Sequence, residues 1–254
     1  MKTVLITGGS SGIGLGISKA FAQAGYAVVM NGLEANGDQI AAEVSQTYGV
    51  PTLFSNANML HVHEIESLIK KTEDFGELQV LVNCAGIQHV APVEEFPVAK
   101  WDAIIGINLT SAFHTSRLVW AGMKERKFGR IINIASAHAL TASPFKSAYV
   151  AAKHGIAGLT KVLALEGAPF GITCNAICPG YVRTPLVENQ IKDQAKAHGI
   201  SEQEVIQKVM LEKHAIKDFV SVESLGAMAL FLASEHASVM TGVCLPMDGG
   251  WNAM

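Results

Sequence analysis

The chain predicts a single-domain α/β fold, a doubly wound, mostly parallel sheet covered by helices on both faces. Three observations carry that prediction. Short apolar runs alternate with longer helical patterns from one end to the other. The apolar runs are almost unbroken, as strands buried on both faces must be. A glycine-rich turn, TGGSSGIG, joins the first run to the first helical stretch.

VLIT (4–7) opens the sheet, and AVVM (27–30), QVLV (79–82), RIINI (130–134) and ITCNAI (172–177) follow. PTLF (51–54) and the neighbourhood of VCL (243–245) are shorter strand signals. Helical periodicity fills 12–24, 35–48, 61–74, 98–126, 148–167 and 221–233. No linker or repeat divides the 254 residues, a length that one α/β domain commonly reaches. Residues 188–213 stand apart, with nine charged residues in 26, about twice the density of the whole chain. The wider segment 184–213 is expected to be a helical insertion covering a site at the carboxyl ends of the strands, where open parallel sheets bind ligands. A merely solvated helical pair is the plainer alternative.

Composition narrows the classes further. A formal net charge of -3 leaves no basic footprint for nucleic acid. Cys84, Cys174, Cys178 and Cys244 lack zinc spacing and read as small buried side chains in a reducing compartment, so no metal is expected. The apolar run in MKTVLITGG is too short for a signal peptide, and no run approaches a membrane span. A cytoplasmic location is expected.

In TGGSSGIG, Gly8, Gly12 and Gly14 let the turn tighten and let backbone N–H groups approach a pyrophosphate at the helix start. The spacing G-x-x-x-G-x-G differs from the general dinucleotide fingerprint G-x-G-x-x-G. No lysine follows the last glycine, which argues against a triphosphate loop. The second strand ends at Asn31-Gly32-Leu33, with neither an acid for ribose hydroxyls nor a base for a 2′-phosphate. Without that cation, NAD is expected rather than NADP.

In SAYVAAKHG, Tyr149 and Lys153 lie four apart and so share one face of a helix. An ammonium beside a phenol favours the phenolate and lowers the tyrosine pKa from its usual ~10, which makes a proton acceptor near neutrality. Taken alone, the pair reads equally as an exposed couple on a solvated face.

The ordered set TGGSSGIG, NCAG (83–86), Asn108, Ser136, Tyr149-x-x-x-Lys153 and Pro179-Gly180 resembles the short-chain dehydrogenase/reductase family across essentially the whole chain. The resemblance implies a Rossmann-type sheet, a nicotinamide cofactor and a catalytic tetrad of Asn108, Ser136, Tyr149 and Lys153. Tyr149 would be the base, Lys153 its electrostatic support, Ser136 a donor to the substrate oxygen, and Asn108 the holder of a relay water. Cofactor contacts are implied at Gly8, Ser11, Gly12, Ile13, Gly14, Asn31, Leu33, Asn58, Asn83, Ala85 and Gly86. They continue at Tyr149, Lys153, Pro179, Gly180, Val182 and Thr184. Two positions depart from the family pattern: Cys84 replaces an asparagine, and Asn58 stands where an acid usually meets the adenine. The family also implies a homotetramer, with the C-terminal LPMDGGWNAM near a subunit contact.

AGIQH (85–89), INIASAH (132–138), KSAYVAAKHG (146–155) and CPGYVRTPLVENQI (178–191) are similar to the members of the family that oxidise (R)-3-hydroxybutyrate. That likeness implies a substrate pocket of Gln88, Ser136, His138, Lys146, Tyr149, Tyr181 and Gln190. Position 181 is usually tryptophan in those relatives. Lys146, near the helix start with Ser147 as its N-cap, would meet the carboxylate, and Gln88, His138 and Gln190 would add neutral donors. One cation among neutral donors suits a small 3-hydroxy or 3-keto acid better than a dianion or a long thioester. Arg183 reads as a surface charge. The alternatives are a reductase of another substrate (3-oxoacyl thioester, sugar, steroid) and a dinucleotide-sensing regulator without turnover. Retention of both Tyr149 and Lys153 argues against the regulator.

Overall fold

Seven strands form one all-parallel sheet in the computed structural model. β1 (Lys2–Thr7), β2 (Ala27–Asn31) and β3 (Thr52–Ser55) step outward to one edge. The chain then returns to the other side of β1 and continues through β4 (Glu77–Asn83), β5 (Gly129–Ile134), β6 (Ile172–Pro179) and β7 (Cys244–Met247). The order is β3-β2-β1-β4-β5-β6-β7. The structure describes residues 1–184, 187, 188, 191, 195, 196 and 199–253.

Helices cover both faces, which is why the strands read as continuous apolar runs. In β1, Val4 and Ile6 face one core with Phe21 of α1 (Gly12–Gln23) and Leu225 of α7 (Val222–Ala233). Leu5, one residue out of phase, faces the other core with Ile65 of α3 (Val62–Phe75), Met123 of α5 (Ser111–Arg126) and Leu163 of α6 (Ser147–Gly167). α2 (Gly37–Tyr48) packs beside α1 on the first face. Among the described residues no helix is long and apolar enough to cross a membrane.

Two local expectations are corrected. The stretch 98–126 is not one uninterrupted α-helix: α4 (Val98–Ile105) leads into a π-type turn, Gly106–Thr110, before α5. Such an extra-residue turn is frequent at functional sites, and Asn108 sits within it. Ser147 is not the N-cap of α6; Lys146 takes that place without a side-chain cap, and the buried Ser147 hydroxyl has no partner. The rule that favours serine at a cap is satisfied here one residue too late in the chain.

The charged segment is only partly described. Within it a helical turn at Glu202–Val205 opens with a capping box between Ser201 and Glu204. Ile191, Val205 and Met210 are buried together, with Tyr181 packed against them. Beyond β7 the chain turns back at Gly249 (φ 62°) and Gly250 (φ 83°), a left-handed path that glycine adopts without strain. That turn carries Trp251 onto the carboxyl edge of the sheet, beside the loop that follows β6.

Candidate active site

After β3 the chain crosses over β1, so the loops after β1 and β4 leave the sheet in opposite directions. They open a crevice at the carboxyl edge. The Thr7 hydroxyl spans it, accepting from the backbone N–H groups of Cys84 (3.0 Å) and Ala85 (3.1 Å). The floor is bare backbone. A Cβ on Gly8 (φ 64°) would lie 3.0 Å from Ala85 Cα, and one on Gly14 would lie 1.9 Å from the Gly8 carbonyl oxygen. The loop after β6 leans on the same turn, with the Thr184 methyl 3.7 Å from where a Gly12 Cβ would stand. Pro179 ends β6, Gly180 N–H donates to Met247 O at 2.9 Å, and Val182 bridges Val220. A cradle this free of side chains, opening onto a helix N-terminus, fits a dinucleotide pyrophosphate. Ser11 is the N-cap of α1, Ile13 lies in its first turn, and Ala85 and Gly86 follow β4.

Three amides expected to face the cofactor are engaged elsewhere. Asn31 donates from its side chain to Ser55 O (3.1 Å) and Ala57 O (2.8 Å), pinning the ends of β2 and β3 together. Asn83 turns inward: it accepts from Thr115 (2.6 Å) and donates to Asn133 (2.9 Å), which donates in turn to Thr160 (2.9 Å). This buried relay locks β4, β5, α5 and α6 beneath the crevice. Asn58 uses its side-chain oxygen to accept from Leu60 N–H at 3.0 Å. Leu33 stands open just past the end of β2, 67% exposed.

The end of β2 also holds an acid that the residues 31–33 did not reveal. Glu34 reaches back to the glycine-rich turn and accepts a hydrogen bond from Ser10. Burial raises its carboxyl, but hydrogen bonds from the hydroxyls of Ser10 and Ser11 and from the backbone at Leu33 and Glu34 together outweigh that and hold it below the ordinary carboxylate value. A negative charge therefore stands past the end of β2, against the glycine-rich turn.

Of the four expected catalytic positions, Ser136, Tyr149 and Lys153 come together at the carboxyl end of β5. Lys153 is buried and donates to Ile134 O at 2.8 Å; burial lowers its pKa to about 8. Its ammonium stands 5.6 Å from the Tyr149 ring centroid. The pKa of Tyr149 is raised, not lowered: burial dominates, and a hydrogen bond from Ser136 offsets only part of it. The expectation of a lowered phenol left out the cost of placing a phenolate among buried neighbours. Asn108 accepts from Ile87 N–H (2.8 Å) and donates to Ile87 O (2.9 Å), so its side chain fixes the loop after β4.

The cluster beyond Ser136 joins several chain segments. His138 is buried; its Nδ1 lies 3.4 Å from Ser136 Oγ, its Nε2 3.0 Å from Ser143 Oγ, and its ring meets Tyr149 edge-on. Burial first, then the charges of Lys146 and Lys213, push its pKa down to about 4, which keeps it neutral. Lys146 is itself lowered by burial and by Lys213. It follows Phe145, whose φ of 66° is costly for a bulky side chain and turns α6 in at this point. Tyr181 stacks on Trp251 with the rings 5° from parallel and 6.1 Å apart, and His138 stands against the same indole at 5.0 Å. His214 packs beside both rings and is buried.

Gln88 is exposed, and Gln190 lies outside the described residues. Arg183 is exposed and paired with Glu188. Ser143, Trp251, His214 and Lys213 belong to this neighbourhood without having been singled out beforehand. The tail expected at a subunit contact returns to its own chain's pocket, at least as far as Trp251.

Comparison with known proteins agrees with this geometry. The family model described as short chain dehydrogenase matches residues 2–195. The D-beta-hydroxybutyrate dehydrogenase of Cupriavidus necator is 52% identical over 254 residues, covering 99% of this chain and 98% of that protein. That of Rhizobium meliloti is 51% identical over 256 residues, covering 99% of each. Among solved structures, levodione reductase superposes with a TM-score of 0.90 at 30% identity, covering 99% of this chain and 98% of the other.

The depressed His138 predicts a pH effect. An unfolded chain binds a proton there near pH 6.5 and the folded chain only near 4, so acid favours the unfolded state across that window. Thermal melts of wild type and His138→Gln between those pH values check it: the wild type should lose more stability on acidification. Parallel losses would refute a neutral buried His138.

Proposed function

The chain belongs to the short-chain dehydrogenase/reductase family, and within it we propose that it oxidises (R)-3-hydroxybutyrate reversibly to acetoacetate, with NAD as hydride acceptor. One observation carries the substrate reading. Tyr149, Ser136 and His138 form a continuous set of contacts, and the Lys146 ammonium faces that set from the helix start. A carboxylate held at Lys146 would present its 3-hydroxyl carbon to Ser136 and Tyr149.

Each residue then has a physical task. Tyr149 takes the hydroxyl proton, and Ser136 holds the substrate oxygen as charge develops on it. Lys153 keeps two N–H donors beyond the one bound to Ile134 O, available to a ribose hydroxyl. When bound, the oxidised nicotinamide supplies the hydride acceptor and a positive charge that favours the phenolate against its burial. Asn108 anchors the loop bearing Gln88, so a relay water at this position would hang from its main chain. His138, uncharged, donates or accepts beside the carboxylate, and Gln190 is a further donor. Tyr181 and Trp251 close the methyl end, which disfavours a long acyl thioester. The segment 184–213 serves as the cover. A homotetramer accords with exposed aromatic side chains on α4 and α5, Trp101 and Phe113.

The cofactor preference follows from charge. The Glu34 carboxylate can accept from ribose hydroxyls and repels a 2′-phosphate. Glu34→Ala should raise kcat/KM with NADP by roughly tenfold while lowering it with NAD, the effect of removing about 1.4 kcal/mol of repulsion. Unchanged cofactor ratios would remove Glu34 from that role.

Two variants test the chemistry. Tyr149→Phe should lower kcat by at least ~10³-fold while binding NAD as the wild type does, measured by calorimetry. Retained turnover would exclude the phenol as base. Lys146→Ala should lower kcat/KM for 3-hydroxybutyrate by roughly ten- to a hundredfold, one charge-assisted hydrogen bond. An unaffected value would place the carboxylate elsewhere.

A further inference from the structure

We propose that Lys213 is a second recognition cation of the pocket, one that draws the substrate carboxylate to the mouth and passes it to Lys146, so that the site prefers an acid over a neutral alcohol. This rests on the 3-hydroxy-acid reading above and adds a residue that sets its selectivity.

The Lys213 ammonium stands 5.7 Å from the Trp251 ring centroid, and the Lys146 ammonium stands 5.9 Å from that of Tyr181. Those two rings form the stacked pair that walls the pocket. Two cations from distant parts of the chain thus rest on the two members of one aromatic stack.

Lys213 is exposed, yet the backbone that carries it is fixed. Leu211 and His214, on either side, are buried, and His214 N–H donates to Leu211 O at 3.0 Å. The Lys217 ammonium braces the same turn, donating to Leu211 O (2.9 Å) and Glu212 O (2.7 Å). An ordinary solvated lysine needs no such support, whereas a lysine aimed at a site benefits from it.

The charges also converge. Lys213 disfavours protonation of both His138 and Lys146, so both ammoniums act on one small region. Among the described residues neither forms an ion pair, and Asp248, the carboxylate facing His214, is engaged by Gly250 N–H, Asn252 N–H and the Asn252 side chain. Like charges held together are relieved when an anion enters between them. Because Lys213 is exposed, its contribution is long-ranged, screened by salt, and expressed in capture more than in the chemical step.

The test compares the full-length wild type, Lys213→Gln and Lys213→Arg with (R)-3-hydroxybutyrate and with its neutral methyl ester, at low and high ionic strength. Lys213→Gln should raise KM for the acid about three- to tenfold at low salt, with the change falling on KM rather than kcat and shrinking as salt is added. The ester should respond far less, and Lys213→Arg should restore the acid. Equal effects on acid and ester, a fall confined to kcat, or a KM shift insensitive to salt would overturn the role of Lys213 while leaving the substrate reading intact. A wild type with no turnover of the acid overturns the substrate reading, and this proposal with it.

Discussion

The bond from the Lys153 ammonium to the Ile134 carbonyl fastens helix α6 to the carboxyl end of β5, and the site depends on it. A buried ammonium is costly to leave without acceptors, so this contact sets the rotation of α6 about its axis. With Lys153 turned toward the sheet, Tyr149, one helical turn earlier, faces Ser136 at the end of the same strand. The inward relay of Thr115, Asn83, Asn133 and Thr160 holds the strands and helices below in matching register. Geometry at the base therefore comes from polar contacts under the crevice as much as from the residues lining it.

Charge is arranged in opposite senses at the two ends of the crevice. At the adenosine end Glu34 is held anionic by the hydroxyls of Ser10 and Ser11. At the far end Lys146 and Lys213 face a histidine kept neutral by burial and by their own field. Between them lies a floor of glycine backbone. A long ligand with ribose hydroxyls at one end fits beside a small acid at the other, and the reverse placement would set anion against anion at Glu34.

Much of this was legible in the sequence, and what was not has physical causes. Unbroken apolar runs such as VLIT and RIINI are diagnostic of strands covered on both faces, so the sheet and its glycine-rich turn could be read directly. The Tyr149–Lys153 spacing was enough to put those two side chains together, because helical periodicity is local. The sign of the Tyr149 shift was not local: it depends on burial by segments far along the chain. Glu34 was missed because an acid three residues past a strand end reaches back only if the chain curls, and Gly32 leaves just enough room for that. Trp251 meets Tyr181 through the return of the C-terminal segment, and His214 meets it through the turn after Met210, contacts that no spacing announces. Asn31 and Asn83 carry the side chain suited to a cofactor contact, yet an amide serves equally well to satisfy buried backbone or another amide.

The most direct measurement is the initial rate of NADH formation by the wild type with (R)-3-hydroxybutyrate, set beside the (S) enantiomer and beside NADP. Fast turnover confined to the (R) acid and NAD is the predicted result, since it requires Tyr149, Lys146 and Glu34 to act as placed. Absence of turnover with NAD demonstrably bound, or equal rates for both enantiomers, would contradict the account at the pocket around Lys146 and His138.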